Sequence, residues 1–447
     1  MVYYAVTHKE YTERFLQMPM INVPAGLETA GFMLGEGELN FLPELLDKFF
    51  PQKKVYLVAD DNTYKAAGLR VREILLAANI VLEGEYVFPG TPLLHPLYTH
   101  SEYLAKLFTS DCVPLAVGSG VINDLVKCAS GIRNIKYCCV PTACSVDGYT
   151  ASGAALSKNG TKQTVKCPAP YAICADTAIL KSAPSPMMAS GYADLLTKIP
   201  AGADWIIADE LGEHPIRQDV WELIQGNIRK QTSDCTDFMN IFSGLANTGY
   251  AMQMMGDSRP ASGAEHLFSH VWEMEGLSCN GQEVSHGFKV GVGLLASTAL
   301  HEFVLDTSVD ELKKIAKPGL SIAEREAEID QLLIKGCYGD APKKTAMSKF
   351  LTCSALSERR ELIYAHWENL QKRLKEQIIP LDGMKKLLSK ANCPTTPSAI
   401  GLTGEQFIHG IKTAQLIRCR YTVLDLLYEL GVLDVAIDKK LSGFSEE

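Results

Sequence analysis

CVPLAVGSGVINDLVKCAS, residues 112–130, decides the fold class. An apolar run ends in Gly118-Ser119-Gly120, and a segment of helical period begins at once. A strand that passes through a tight turn into a helix is the repeating unit of a parallel sheet with crossover helices. Such a turn also sets the N–H groups of the helix N-terminus beside the end of the strand, where an anion is favoured. Gly118, Ser119 and Gly120 are small enough for close backbone approach, so the turn reads as a diphosphate cradle. A tight β–α turn without a ligand explains it equally well. The spacing is neither GxGxxG nor a P-loop. Asp124 reads as a carboxylate of the first helical turn, where it favours the dipole, and it is counted with the cofactor-facing residues.

The neighbouring sequence repeats the pattern. KKVYLVAD (53–60), EYVFPG (85–90) and YCCVPT (137–142) are short strand-like runs. TYKAAGLRVREILLAAN (63–79) and the stretch 99–110 have helical period. Alternation of this kind predicts a mainly parallel, Rossmann-like α/β domain over residues 1–180. After YCCVPT the chain enters ACSVDGYTAS, a loop that carries Ser145, Asp147 and Ser152 just beyond Thr142. Loops at the C-terminal ends of parallel strands are where α/β folds place ligands. Lys158 and Lys162 flank an Asn159-Gly160 hairpin turn.

SAPSPMMASGYAD (182–194) is rich in small residues and proline and reads as a linker. Nearly every later stretch places apolar residues three or four apart, TAQLIRCRYTVLDLLYELGVL among them, so residues 181–447 are expected to form an all-α domain. A chain of 447 residues is long enough for two such domains. The net charge of −9 and the lack of a Lys/Arg run exclude a nucleic-acid surface. No apolar stretch is expected to reach transmembrane length, and MVYYAVTHKEYTERF lacks the apolar core of a signal peptide. The 13 cysteines include no CxxC pair, which is the usage of a reduced compartment; a cytoplasmic protein is expected.

Three of the ten histidines fall close together: His266, His270 and His286. His266 and His270 share a helix face one turn apart, and His286 with Gly287 suits the opening of another helix. Two helices that each present an imidazole can build a metal site. In GYADLLTK (191–198), Asp194 reads as an acid at a helix start and as the hard third ligand; one carboxylate, two imidazoles and an open position make a catalytic arrangement. Arg259, just before the His266 helix, is a candidate grip for a substrate phosphate.

Taken together, the G[GS]G turn, PTxxSxDG, GxxD, SRPASGxEHxxSHxWEM and the later His-Gly resemble the sn-glycerol-1-phosphate dehydrogenases, in their AraM-like bacterial branch. That family sits within the superfamily of iron-containing alcohol dehydrogenases, glycerol dehydrogenases and dehydroquinate synthases. The resemblance covers roughly residues 50–300. It implies a dehydroquinate synthase-like fold with the active site in the cleft between the two domains, and a likeness to proteins that form dimers or larger oligomers. It implies metal ligation by Asp194, His266 and His286, with His270 close by without being a main ligand. Gly118, Ser119 and Gly120 would hold the cofactor diphosphate, Thr142 and Ser145 would lie along it, Asp147 would stand by the nicotinamide and Asp60 near the adenine ribose. The implied reaction is NAD(P)H-dependent reduction of dihydroxyacetone phosphate, a small phosphorylated triose, with zinc, nickel or iron as the metal. The SRPASG segment speaks against the nearest rival, a dehydrogenase of glycerol or another polyol. A reading of another class is a catalytically silent module that binds dinucleotide or metal. Ser119 departs from the three glycines usual in the family turn.

Overall fold

The computed structural model describes residues 18, 20–158, 161–336 and 338–444. The N-terminal MVYYAVTHKEYTERF and the Asn159-Gly160 turn lie outside them. Two compact units emerge: one gathers the described residues up to Gly191 with Thr236–Gly256, the other Tyr192–Cys235 with the residues from Asp257 on.

The first unit is built on a six-stranded sheet. Its strands are β1 (Gly31–Gly35), β2 (Lys54–Asp60), β3 (Leu82–Phe88), β4 (Cys112–Gly118), β5 (Cys138–Pro141) and, after a β6 (Ala154–Lys158)–β7 (Thr161–Val165) hairpin, β8 (Ala172–Asp176). The order is β1-β8-β5-β4-β2-β3, with every pairing parallel. Alternate residues of these strands face opposite sides. Leu57, Ala59, Leu115, Val117 and Val140 share one core cluster with Leu42, Leu45, Val71 and Leu75 of the helices Leu42–Phe49 and Leu69–Ala77. The intervening Val58, Ala116 and Cys139 are equally buried, and so are Ile122, Leu125 and Val126 of the helix Gly120–Arg133, which packs on β4. Burial on both faces is why the strands read as unbroken apolar runs. β1 and β8, each five residues long, were not among the strands read from the sequence. The helix Phe238–Met255 joins this unit through Phe242 and Tyr250, whose rings lie 6.2 Å from that of Phe32 on β1.

The order places β3 on one side of β2 and β4 on the other, so the direction of winding reverses between β2 and β4. The crevice outside the carboxyl ends of strands at such a reversal is where doubly wound sheets receive ligands. Gly118-Ser119-Gly120 stands at one of those ends and Asp60 at the other.

The second unit is helical apart from a short antiparallel ladder, Ser278–Cys279 with Gln282–Glu283. Its central helix, His286–Asp306, packs against Lys198–Glu210, Ala264–Met274, Cys353–Gln377 and Leu433–Leu441. It is apolar on every side because it is surrounded. It is the one described helix long and apolar enough to cross a membrane, which corrects the expectation that no stretch reaches that length; 83% of its apolar window is buried inside the protein. Gly293 on this helix faces the Ala264–Met274 helix; a Cβ there would lie 2.6 Å from the Glu265 carbonyl oxygen. The glycine therefore sets how closely the helices bearing His286 and His266 approach.

Three local expectations change. Residues 182–194 are not a linker: the helix Ser185–Leu196 runs through them, with Pro186 in its first turn, where a proline costs no hydrogen bond. Asp194 is accordingly near the end of a helix and not at its start. The stretch 415–422 interrupts the long helix read there, leaving Gly404–Ala414 and Val423–Glu429, the second begun by a Thr422–Asp425 capping box.

Candidate active site

In the first unit, β4 ends at Gly118 and Ser119 is the N-cap of Gly120–Arg133. A Cβ on Gly118 would stand 2.5 Å from Ile122 Cβ, so any other residue would push the first helical turn away. Ser119 has φ −79° and ψ −171°, extended backbone that any residue adopts, so serine in the family's glycine position costs nothing. Its side chain makes no capping hydrogen bond, which leaves the positive end of the helix for an anion. This cradle suits a diphosphate.

Thr142 and Ser145 are buried beside it; the Thr142 N–H donates to the Gly118 carbonyl at 3.1 Å, and Ser145 Oγ lies 3.2 Å from the Tyr149 hydroxyl. Asp147 is half-buried and Ser152 exposed. Asp60 Oδ1 accepts the N–H groups of Asn62 and Thr63, at 2.9 and 2.8 Å, and so caps the next helix. Asp124 is not in the first turn, because the helix starts at Gly120. Its Oδ2 accepts the Ala155 N–H at 3.1 Å, and its Oδ1 lies 3.3 Å from Lys127 Nζ. Lys127, which the sequence reading missed, is fully buried and donates to the carbonyls of Gly148 and Gly153 at 2.8 and 3.1 Å. It stitches the Asp147 loop to the helix. Its only sequence signal was a lysine among apolar helix positions.

The second unit brings Asp194, His266 and His286 together, with one donor atom of each within 4.8 Å of the others. His266 Nε2 is 3.7 Å from Asp194 Oδ1, and the two imidazole rings are 5.3 Å apart. Ligands at ~2.1 Å around a tetrahedral ion are separated by roughly 3.4 Å, so the set fits a divalent ion after a small contraction. Among the described residues it is the only group of that kind.

The residues behind the three ligands fit the same purpose. His266 Nδ1 is 2.8 Å from Glu265 Oε1, which leaves Nε2 to face Asp194. A carboxylate behind a ligating imidazole fixes its tautomer and raises its basicity. Glu265 also accepts the Gly263 N–H at 2.6 Å, and Asp204 accepts that of Ala264 at 2.7 Å, so two carboxylates hold the start of the His266 helix. Burial, and then the charge of Asp204, raise the Glu265 carboxyl to about 7. Asp194, disfavoured by its place at a helix C-terminus, is met by Lys198: both are fully buried, and Nζ donates to Oδ1 at 2.9 Å and to the Ala261 carbonyl at 3.0 Å. Neither Glu265 nor Lys198 had been singled out. Neighbours in a helix do not normally face each other, so Glu265 next to His266 carried no signal.

His270 lies outside the cluster, 36% exposed, with Nδ1 3.6 Å from Glu273 Oε2. Arg259 is buried; its N–H donates to Asp257 at 2.6 Å and its Nη1 to the Tyr421 carbonyl at 2.7 Å. Arg420, absent from the sequence reading, donates to the Ser262 carbonyl at 2.6 Å and to Ser258 Oγ at 2.7 Å. Burial and then the charge of Arg259 pull the Arg420 guanidinium down to about 10. Two mutually repelling guanidiniums thus meet at the SRPASG segment, Arg259 within it and Arg420 bonded to its two serines.

The family described as iron-containing alcohol dehydrogenase matches residues 33–184. A glycerol-1-phosphate dehydrogenase [NAD(P)+] of Halalkalibacterium halodurans is 33% identical over 286 residues, 62% of this chain and 71% of the relative. One of Bacillus subtilis is 31% identical over 315 residues, 66% of this chain and 75% of the relative. Among solved structures, a probable glycerol dehydrogenase of Sinorhizobium meliloti superposes with a TM-score of 0.56 at 14% identity, over 91% of this chain and 97% of that one. A sulfoacetaldehyde reductase of Bifidobacterium kashiwanohense, solved with NAD+, gives 0.54 at 12% identity, over 94% and 99%. The structural likenesses establish the fold, and the sequence relatives establish an NAD(P)-dependent oxidoreductase acting on CH–OH groups. With the relatives matched over more than two thirds of their length, the chain belongs to the glycerol-1-phosphate dehydrogenase family.

Proposed function

We propose that the chain reduces dihydroxyacetone phosphate to sn-glycerol 1-phosphate, reversibly, with NADH or NADPH and a divalent metal, zinc first and nickel or iron as alternatives. The observation that carries the reading is the Asp194–His266–His286 cluster backed by Glu265, in a chain 33% identical to a glycerol-1-phosphate dehydrogenase. When bound, the metal supplies Lewis-acid polarisation of the ketone, and the nicotinamide supplies the hydride. Asp194, His266 and His286 hold the ion; Glu265 orients His266, and Lys198 orients Asp194. Gly118, Ser119 and Gly120 receive the cofactor diphosphate. Thr142, Ser145 and Ser152 border the cofactor, with Asp60 on the ribose side and Asp124 bracing the hairpin that follows. Asp147 is assigned to the nicotinamide and substrate end. His270, one turn beyond His266, is assigned the proton relay to the substrate oxygen. Arg259 and its neighbour Arg420 favour a substrate that carries a phosphate.

The test is a product assay. Chelator-stripped protein is reloaded with zinc, nickel or iron and given dihydroxyacetone phosphate or dihydroxyacetone, and the glycerol phosphate enantiomers are resolved. Metal-dependent formation of sn-glycerol 1-phosphate is expected. Full activity without metal, the opposite enantiomer, or a preference for dihydroxyacetone would refute the reading.

A further inference from the structure

A second cavity lies within the helical unit, in the part of the chain after residue 316. It encloses about 460 Å³, the size of a small-molecule site, and none of Asp194, His266 and His286 lines it. Leu320, Leu332, Phe350, Leu351 and Leu356 form an apolar wall. Gly431, at φ 71°, lets the chain turn close by Arg360; a Cβ there would stand 2.7 Å from Arg360 Nη2.

The charge of the wall is not balanced. Lys317 and Lys412 share a single carboxylate, Asp434, at 2.7 and 2.8 Å. Arg325 is matched by Glu328 at 2.6 Å, and Lys349 by Asp425 at 2.8 Å. Glu429 is engaged by Arg359 at 2.9 Å. Arg360, which also lines the cavity, donates to the carbonyls of Glu429 and Lys317 at 2.7 and 2.8 Å, and neither carbonyl carries a neutralising charge. The surplus is positive.

A second observation points the same way. Arg325 is 2% exposed and lies over the Tyr428 ring, 4.2 Å from its centre. Its Nη2 donates to Gln415 at 2.7 Å, yet its Nε is buried without a hydrogen-bond partner among the described residues. A buried guanidinium N–H left unanswered is costly, and a small shift of the Arg325 side chain toward an oxygen of a bound anion would answer it.

We propose that this cavity binds a small organic anion with an apolar body, its charge answering Arg325 and Arg360 and its body lying on the leucine wall. A fatty carboxylate and an alkyl phosphate share that chemistry. The two sources are separated by calorimetric titration of the zinc-loaded protein, saturated with NAD+ and dihydroxyacetone phosphate so that the proposed active site is filled without turnover, using octanoate, hexyl phosphate, inorganic phosphate and octanol as probes. One equivalent of octanoate or hexyl phosphate per chain is expected, whichever is tighter naming the headgroup. Octanol and inorganic phosphate should bind at least about tenfold more weakly, since each lacks one half of the recognition. Arg360→Gln should weaken the preferred probe by at least about tenfold, and Leu351→Trp, which fills the cavity, should abolish binding. If neither amphiphilic anion binds at one per chain, or if both variants bind it as the wild type does, the proposal is overturned. Circular dichroism melts check the variants; if Leu351→Trp fails to fold, Arg360→Gln decides.

Discussion

Lys198→Met keeps an unbranched apolar stem and removes the charged nitrogen at its end. Lys198 and Asp194 are both fully buried and 2.9 Å apart, so the variant strands a carboxylate in the core. Breaking one side of such a pair costs about 3–5 kcal/mol, because the remaining charge stays buried without its cation. In a unit of this size each kcal/mol moves the melting midpoint by roughly 2–4 °C. Metal-free Lys198→Met should therefore melt roughly 6–20 °C below metal-free wild type. A divalent ion held by Asp194, His266 and His286 sets positive charge against the same carboxylate. Zinc should then raise the midpoint of the variant more than that of the wild type and close part of the gap. Calorimetric scans of chelator-treated and zinc-reloaded protein measure both quantities. Equal zinc-induced shifts in the two proteins would refute the argument that lysine and metal compensate one carboxylate, and a variant with no metal-free deficit would refute the pairing itself.

Glu265→Gln keeps an acceptor behind His266 but removes the charge, and should weaken zinc binding about 10–100-fold with the fold retained. Competition against a chromophoric chelator measures this, and an unchanged affinity would reduce Glu265 to its bond with the Gly263 N–H. Gly293→Ala puts a Cβ 2.6 Å from the Glu265 carbonyl oxygen, against an ordinary contact of 3.4 Å or more. The helices bearing His266 and His286 must part, at a cost of about 1–3 kcal/mol. A lower melting midpoint together with weaker zinc binding is expected, and loss of neither would show that the helix spacing is slack.

The residues with rare chemistry were the legible ones. Histidines are few in this chain, so His266, His270 and His286 drew notice, and the turn at Gly118 announced itself by following an apolar run directly. What supports them was illegible for identifiable reasons. Lys198 stands four residues after Asp194 but across the break between two helices, so the helical spacing rule did not apply. Arg420 reaches Ser258 and Ser262 across about 160 positions of sequence. Pro184, Pro186 and Gly191 suggested a linker, yet Gly191 is small because its helix passes close to the backbone of Cys144.

By itself the sequence determined the alternation of buried strands and helices, the turn that opens Gly120–Arg133, and the residue types able to ligate a metal, because periodicity and side-chain chemistry are local properties. The tertiary structure decided how closely His266 and His286, which the family resemblance had already set with Asp194, approach it, and that His270 lies out by Glu273. It also decided that Asp194 ends a helix beside a buried lysine, and that an uncompensated guanidinium borders a second cavity. Those outcomes depend on how closely helices approach and on which charges are removed from water together. Residues far apart in the chain settle both only once they are packed.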